Sequence, residues 1–322
     1  MKNITVIGGG TGLSILLRGI KKLDNINLSA IVTVADDGGS SGILREDLGM
    51  LPPGDIRSCL LALANEEESL SKILAYRFDE GLFAGQNIGN LIIAAAVDIY
   101  GNFEKGVESI SDILQVKGKV LPVCNDNINL CARLENGNIV IGESAIPKAA
   151  VREKSRIEEL FLDKYASITE SVYNSIVNSD ILIFGPGSLY TSIIPNLLVD
   201  GMNECISKNE APKVYIGNVM TQPGETLTFD FANHIEKLCE YFGDNQLDYV
   251  IANSTQLSNN DLNKYLSDGS KQLIANDDDK RRISNLGIKL IEGDIIEIKK
   301  GYIRHDCNKV AKIIDDILAK HQ

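Results

Sequence analysis

The feature that most constrains the fold of this chain is the run of glycines that follows its first apolar stretch. Ile4 to Ile7 form a short apolar run, and Gly8-Gly9-Gly10-Thr11-Gly12 comes directly after it. Leucine and isoleucine then recur at helical spacing from Leu13 to Leu23, and a second apolar run covers Leu28 to Val34. Short runs without alternation are typical of strands buried on both faces of a parallel sheet. This order predicts a right-handed βαβ unit.

The same pattern returns in the second half of the chain, while the middle differs. Further strands are predicted at Ile181–Phe184, Val214–Val219 and Leu247–Ile251, whereas the region from 55 to 114 has helical periodicity. Glu135-Asn136-Gly137 then joins two alternating segments as a hairpin turn. We therefore predict an α/β, Rossmann-like fold with a mainly parallel sheet flanked by helices. It forms one domain over residues 1–322, with an inserted helical and β-hairpin region at about 55–145.

Composition and charge exclude several classes of protein. The chain is 44% hydrophobic and 24% charged, with a net charge of −12, and its basic residues cluster only at Lys280-Arg281-Arg282. An acidic chain without a basic stripe is a poor partner for nucleic acid or an anionic membrane. No apolar run approaches the roughly 18 residues of a spanning helix, and Met1-Lys2-Asn3 leads straight into the first strand. We expect a cytoplasmic protein without a membrane span.

The first glycine loop has the residues of a phosphate site. Glycines allow backbone N–H groups to approach phosphate oxygens, and the helix that follows directs its positive end at them. Gly8 and Gly10 fit the first two positions of the dinucleotide fingerprint, but Leu13 occupies the third, and no Gly-Lys-Ser/Thr ending is present. The loop therefore predicts nucleotide binding, with a tight turn that binds nothing as the alternative.

Three further segments place polar groups where strands or helices end or begin. Asp36-Asp37-Gly38-Gly39-Ser40-Ser41-Gly42 follows the second strand, where a carboxylate can bind a ribose or, with phosphate, Mg²⁺; its glycines and serines could form a mobile flap. Asp55 is placed as an N-cap of the next helix, and Arg57 in its first turn can face an anion. Gly185-Pro186-Gly187-Ser188 forms a second glycine loop after a parallel strand.

Catalytic groups are harder to find. The chain has three histidines, at 234, 305 and 321, and no GxSxG segment. No pair of nucleophile and base stands out, so we assign no catalytic residue. The residues favour binding over bond breaking.

Several long strings closely resemble the bacterial gluconeogenesis factor family, which is itself similar to 2-phospho-L-lactate transferase. They are Ile7–Gly12, Ala35–Gly42, Pro52–Arg57, Phe184–Ser192, Asn218–Thr226 and Ile303–Asp306. The resemblance covers nearly the whole chain in the right order. It implies a cytoplasmic protein with a role in growth and cell shape on gluconeogenic carbon sources, and binding of UDP-sugars. It also makes NAD a plausible ligand and implies protein partners in cell-wall synthesis; we further expect a homo-oligomer.

The resemblance also implies which residues line the ligand cleft. Carried over to this chain, these residues are Gly8, Gly9, Gly10, Thr11, Gly12, Asp36, Asp37, Ser40, Ser41, Asp55, Arg57, Asn90, Gly187, Ser188, Asn218 and Arg304. Before Gly89-Asn90 the family usually carries a histidine, where this chain has Gln86-Asn87, so a titrating imidazole is not expected there. After His305-Asp306 the family often has threonine, where this chain has Cys307.

Two main hypotheses remain open at this point. The first is a UDP-sugar-binding regulator that requires no cofactor and no metal. The second is a transferase that joins a phosphorylated small acid to an acceptor, with Mg²⁺ held by Asp36 or Asp37. A third, an NAD-dependent oxidoreductase, is disfavoured by the missing third glycine.

Overall fold

A computed structural model describes residues 1–65, 68–243, 246–299 and 301–321. The strands within these ranges are β1 (Lys2–Gly8), β2 (Ile26–Val32), β3 (Lys119–Pro122), β4 (Leu130–Leu134), β5 (Ile139–Ile141), β6 (Ile157–Leu162), β7 (Ile181–Phe184), β8 (Lys213–Ile216), β9 (Tyr249–Asn253), β10 (Lys289–Gly293), β11 (Ile296–Lys299) and β12 (Tyr302–His305).

Most of the described helices lie between strands of the larger sheet, and five of them follow one another between β2 and β3. They are α1 (Gly10–Ile20), α2 (Gly39–Leu48), α3 (Gly54–Leu63), α4 (Glu68–Ala75), α5 (Ile88–Tyr100), α6 (Phe103–Ile113), α7 (Ala145–Glu153), α8 (Glu170–Val177), α9 (Ile194–Leu197), α10 (Met202–Ser207), α11 (Phe231–Glu240), α12 (Asn259–Leu266), α13 (Asp277–Asn285) and α14 (Cys307–Lys320). A π-helical turn, Leu189–Ile193, runs directly into α9.

A seven-stranded sheet forms the centre of the described chain, in the order β10-β9-β8-β7-β1-β2-β3. Every neighbouring pair in it is parallel. The order of strands reverses between β1 and β7, because β2 and β3 lie on one side of β1 and the later strands on the other. This is the doubly wound arrangement, and it confirms the predicted Rossmann-like α/β fold.

Burial follows the predicted pattern of a two-sided sheet. All residues of β7, β8 and β9 are buried, and α1 buries Leu13, Leu16, Leu17 and Ile20. This face of α1 packs between α3 and α14. The buried residues of α1 thereby anchor the loop at the carboxyl end of β1 to the core.

The region from 55 to 145, predicted as an insertion, supplies one strand of the seven-stranded sheet. It contributes β3, which pairs in parallel with β2, as well as the helices α3 to α6. The predicted hairpin is present as β4 and β5, but a third strand, β6, pairs with β4 to complete a small antiparallel sheet. Periodicity could not show that β3 belongs to the larger sheet, because its partner lies about 90 residues earlier in the chain.

The interpretation of residues 38–42 as a mobile flap is wrong. Gly39–Leu48 is the helix α2, and Ser40 and Ser41 are 2% and 3% exposed. Both hydroxyls are fixed by contacts with distant helices, which local propensity does not reveal. Within the described ranges, none of the helices is both long and apolar enough to cross a bilayer.

Candidate functional site

The two glycine loops meet at the point where the strand order reverses. Ile7 of β1 is paired with Phe184 of β7, so both loops leave the sheet at the same edge. They then pack directly on each other: a Cβ added to Gly12 would lie 2.4 Å from the carbonyl oxygen of Pro186. Ligands of open α/β sheets bind in the crevice at such a reversal. This crevice, which we call the switch-point cleft, is therefore the candidate site.

The first loop changes conformation at Gly10. Its φ angle is +66°, a region that favours glycine. Gly8 and Gly9 are buried beneath the loop, whereas Thr11 is exposed at the start of α1. Gly9 is the N-cap of α1 and supplies no side chain to the free amides. That function falls to Asp55, whose carboxylate accepts the Gly10 N–H at 2.6 Å.

Asp55 is not the N-cap that the sequence predicted. Pro53 occupies the N-cap position of α3, and Asp55 lies in the first turn, from which its side chain reaches across to the first loop. Burial raises the pKa of Asp55 to about 6, and the negative charge of Asp36 adds to the shift. The Gly10 N–H acts in the opposite direction. Asp55 therefore titrates just below neutral pH.

Asp36 and Asp37 each use one carboxylate oxygen to accept a backbone N–H. Asp36 Oδ1 accepts the Gly38 N–H at 2.9 Å, and Asp37 Oδ1 accepts the Ser144 N–H at 2.9 Å. The second oxygen of each has no hydrogen bond to the described residues. Across the described ranges, no three His, Cys, Asp or Glu side chains are grouped to hold a metal ion. A cation here would need oxygens from a bound phosphate as well.

Ser40, Arg57 and Asn90 form one hydrogen-bonded network. Asn90 Oδ1 accepts from Arg57 Nη1 at 2.7 Å, and Asn90 Nδ2 donates to Ser40 Oγ at 3.2 Å. Ser40 Oγ donates in turn to Gln86 at 2.7 Å, so the residue found where the family usually has histidine has a structural function. Ser41 Oγ accepts the Gly54 N–H at 3.1 Å and joins α2 to α3.

Arg57 lies in the first turn of α3, two residues after Asp55, whose carboxylate contacts the first loop. Burial, and then the positive charge of Arg77, lower the pKa of Arg57, while Asp55 and Asp36 act against that shift. Arg57 Nε is buried and has no hydrogen-bond partner within the described ranges. The guanidinium therefore has one N–H donor that no described residue satisfies, and whether Arg57 faces an anion stays a prediction.

The second loop is held by two side chains from the segment after β8. Asn218 Nδ2 donates to the carbonyl oxygen of Gly187 at 3.0 Å. Ser188 Oγ accepts the Thr191 N–H at 3.1 Å as the cap of the π-helical turn, and it donates to Glu225 in a short hydrogen bond. Gly187, Ser188 and Asn218 thus lie together beside the first glycine loop.

Two carboxyl groups of the cleft were missed by the sequence analysis. Glu143 is hydrogen-bonded to Thr191, and burial raises its pKa to about 7, with the charges of Asp36, Asp37 and Glu225 adding to the shift. Burial also raises the pKa of Glu225 to about 7, opposed by its bond to Ser188. Glu225 lies within Asn218–Thr226, one of the segments that carry the family resemblance. Glu143 follows the β4–β5 hairpin and belongs to no motif.

Arg304 is a predicted site residue on a strand that contacts α1, the helix after the first glycine loop. It lies on β12, is exposed, and stacks over the ring of Tyr302 at 5.4 Å from the ring centroid. Within the described ranges it makes no hydrogen bond or ion pair with another predicted site residue. Its neighbour His305 points the other way, and its Nε2 donates to the Gly217 carbonyl oxygen at 3.1 Å. Burial lowers the pKa of His305 to about 4.

Fold and cleft together define a doubly wound α/β protein with two glycine loops at its switch point. Residues 4–296 match the profile of the family described as 2-phospho-L-lactate transferase CofD, and the chain belongs to that family. A relative from Thermoanaerobacterium thermosulfurigenes is 49% identical over 316 residues, which are 98% of this chain and 96% of that protein. The protein named gluconeogenesis factor in Bacillus subtilis (strain 168) is 42% identical over 318 residues, 98% of each chain.

A solved structure supports the same relationship. The crystal structure of a UPF0052 family member from Bacillus halodurans superposes with a TM-score of 0.93 at 40% sequence identity. The match covers 98% of this chain and 99% of that one. The resemblance seen in the sequence strings is thus confirmed at the level of family and fold.

Proposed function

We propose that the protein is a cytoplasmic regulator that binds a UDP-sugar in the switch-point cleft and does not turn it over. The observation that carries this proposal is the contact between the two glycine loops, at Gly12 and Pro186, directly at the strand-order reversal. Two glycine loops on neighbouring strands offer backbone N–H groups from both sides to a pyrophosphate. A glycine loop that served only as a tight turn would not require a second glycine loop packed against it.

The polar groups of the cleft suit the remainder of such a ligand. A protonated carboxyl group can both donate and accept hydrogen bonds, as an amide group can. Sugar hydroxyls also donate and accept, so they can bond to either group. Glu143 and Glu225 have pKa values of about 7, so a large fraction of each is protonated at neutral pH. This lowers the negative charge that a pyrophosphate would meet. A sugar nucleotide is therefore a better fit than an inorganic polyanion.

Calorimetry tests the proposed ligand directly. The protein is titrated with a panel of UDP-sugars, with NAD and with GTP, each with and without Mg²⁺. We expect a stoichiometric complex with at least one UDP-sugar that does not need metal and that leaves the nucleotide unchanged after hours. The absence of binding by every UDP-sugar in the panel would overturn the proposal.

The biological part of the proposal is supported by the relatives named gluconeogenesis factor. We propose that the chain is required for normal cell shape and growth on gluconeogenic carbon sources, through protein partners in cell-wall synthesis. A strain that lacks the gene is grown on a gluconeogenic and on a glycolytic carbon source. A growth or shape defect limited to the first source supports the proposal, and equal growth with normal shape on both contradicts it.

The match to the transferase family favours one alternative, a Mg²⁺-dependent transferase. Asp36 and Asp37 each keep a carboxylate oxygen free, and Mg²⁺ is often held by one or two carboxylates together with substrate phosphates. Those residues would hold the ion, which would neutralise phosphate charge. If chelation lowers nucleotide affinity about a hundredfold, close to 3 kcal/mol, this alternative becomes the better account.

A further inference from the structure

The helix α5 is apolar on the side that faces solvent as well as on the side that faces the core. Asp98 is its only charged residue. One side of the helix packs on α3, α4 and α6, while Ile92, Ala95 and Ile99 are exposed. These three residues follow one another at helical spacing, so they form one stripe along the surface. A helix that is apolar on all sides is normally buried on all sides. The exposed stripe is therefore a candidate contact surface.

The apolar surface continues onto the segment before α5. The ring of Tyr76, directly after α4, lies 5.3 Å from that of Phe78, which lies 5.4 Å from that of Phe83, between ring centroids. Leu82 beside them is fully exposed. The Tyr76 carbonyl oxygen accepts the N–H of Ile88 at 3.0 Å, which fixes this segment to the turn of α5 that begins the stripe. We call the stripe and this segment the α4–α5 face, and its large exposed side chains are Ile73, Tyr76, Leu82, Phe83, Ile92 and Ile99.

The area of this face is that of a stable protein contact. A contact of standard size buries about 800 Å² on each partner. An aromatic side chain can bury roughly 150–250 Å², so large apolar side chains that are 38–102% exposed offer, six together, an area of that order. The largest apolar patch on a typical monomer is about 300–600 Å². The α4–α5 face therefore exceeds what a monomer usually exposes.

Charges of opposite sign lie at the two ends of the stripe. Arg77 lies at its N-terminal end, where it forms a β-bridge with Asn87, and Asp98 lies at its C-terminal end. Both are exposed, and neither makes an ion pair within the described ranges. The stripe itself is the same in both directions, because Ala95 lies between two isoleucines. A surface that matches itself after a two-fold rotation is what contact between two identical chains requires.

We propose that the protein forms a homodimer through the α4–α5 face, with the two copies of α5 packed antiparallel at Ala95. Ile92 of each copy packs against the partner's Ile99, and Arg77 of each copy lies toward the partner's Asp98. This gives the expected homo-oligomer a surface, and it does not depend on the function proposed for the cleft. The dimer also fixes the helix that carries Asn90, the residue that binds Arg57 in the cleft network.

Sedimentation velocity of the whole chain over a concentration series tests the surface. We expect a dimer at micromolar concentration for the unaltered chain and a dimer Kd at least about a hundredfold higher for Ile99→Glu, because each dimer would bury two unpaired carboxylates. Ile99 is 74% exposed in the single chain, so the variant should fold, as circular dichroism can show. Ile139→Glu, at an exposed isoleucine on β5 outside the face, is the matched control and should stay dimeric.

Two results of that measurement would overturn the proposal. One is an unaltered chain that stays monomeric at these concentrations, which would leave the face to a different protein. The other is a dimer that Ile99→Glu leaves intact, which would place the contact between the copies elsewhere.

An exchange of charges tests the antiparallel packing separately from the burial of the stripe. Arg77→Glu and Asp98→Lys each bring like charges together across the dimer and should weaken it at least about tenfold. The double variant restores opposite charges, so its dimer Kd should return to within about threefold of that of the unaltered chain. Additive weakening in the double variant would contradict the antiparallel arrangement.

Discussion

The carboxylate of Asp55 accepts the backbone N–H of Gly10 at 2.6 Å, so the free end of α1 is capped by a side chain from α3. In a phosphate loop this N–H would be directed at the ligand. Asp55 therefore accepts from a backbone N–H that a phosphate bound to this loop would also need. Its pKa of about 6 means that the carboxylate can be neutralised within the physiological range. If the proposed ligand places a phosphate on this loop, its binding is linked to protonation at Asp55.

The first prediction is that UDP-sugar affinity increases as the pH falls. The phosphates of a UDP-sugar stay ionised over this range, whereas Asp55 gains its proton near pH 6 and ceases to repel them. Affinity should be nearly constant below pH 5 and fall as the pH rises through 6, by up to about tenfold per pH unit for one linked proton. Calorimetry at a series of pH values measures it. A pH-independent affinity would contradict the linkage.

The second prediction concerns Asp55→Asn, the neutral isostere. An amide oxygen can still accept the Gly10 N–H, so the loop should keep its conformation, but the charge is gone at every pH. We expect the variant to bind the UDP-sugar at pH 8 at least about tenfold more tightly than the unaltered chain. It should lose the part of the pH dependence that begins near pH 6, while any part due to Glu143 and Glu225 near pH 7 remains. Asp24→Asn, at an exposed position outside the cleft, is the control. An unchanged slope in Asp55→Asn would place the titrating group elsewhere.

The third prediction tests the contact between the loops through stability. A methyl group at Gly12 would lie 2.4 Å from the Pro186 carbonyl oxygen, so Gly12→Ala must displace backbone. Overpacking of this kind costs about 1–3 kcal/mol, which should be visible as a lower Tm. Gly8→Ala is the matched control, because its added Cβ would have its nearest contact at 3.8 Å. Equal Tm values for the two variants would show that the loops can separate freely.

The parallel strands and both glycine loops could be predicted from sequence because they are local. Buried strands in a doubly wound sheet are continuous apolar runs, and the residues that end them are adjacent in the chain. From those runs it follows that the loops after β1 and β7 share one edge of the sheet. The expectation that Gly8–Gly12, Gly187 and Ser188 lie together depends on that inference, whereas the other predicted cleft residues came from the family resemblance.

What the sequence did not show depends on contacts over long separations. Ser40 and Ser41 belong to a buried helix because they bond to Gln86, Asn90 and Gly54, none of which is a neighbour in sequence. Asp55 reads locally as a cap of its own helix, yet it caps another helix 45 residues away. Glu143 has no motif, and its function in the cleft follows entirely from the position of the small sheet.

The fourth prediction is that Glu143→Gln stabilises the fold at high pH. The folded-state pKa of Glu143 is raised to about 7, so between its usual pKa and 7 the folded protein holds a proton that the unfolded chain releases. The group therefore lowers the free energy of unfolding as the pH rises through this window, and it has no effect below about pH 4. Glu143→Gln should raise Tm at pH 8 and leave it unchanged near pH 4.

The exposed Glu158, on β6, provides the matched control for that measurement. Glu158→Gln should leave Tm unchanged at both pH values. A Tm for Glu143→Gln that is raised equally at pH 4 and pH 8 would show that packing, and not charge, is responsible. A lowered Tm at pH 8 would contradict the burial of a carboxylate at this position.

The last prediction decides which arginine binds the phosphates. Arg57 is partly buried, is held by Asn90 at 2.7 Å and keeps its Nε without a described partner, whereas Arg304 is exposed and stacked on Tyr302. Hydrogen bonds to charged groups contribute about 1.5–3 kcal/mol, and more reliably when the donor is already held in place. We therefore expect Arg57→Ala to weaken UDP-sugar binding at least about tenfold, and Arg304→Ala to weaken it less than about threefold.

Arg57→Lys separates charge from geometry in the same experiment. Lysine keeps the positive charge but lacks the planar fork that can bond Asn90 and a phosphate at once. It should bind with an affinity between those of the unaltered chain and Arg57→Ala, and circular dichroism should show that all three variants are folded. If Arg304→Ala has the larger effect instead, the β11–β12 hairpin must supply the cation, and the ligand would extend across Gly217 toward β12.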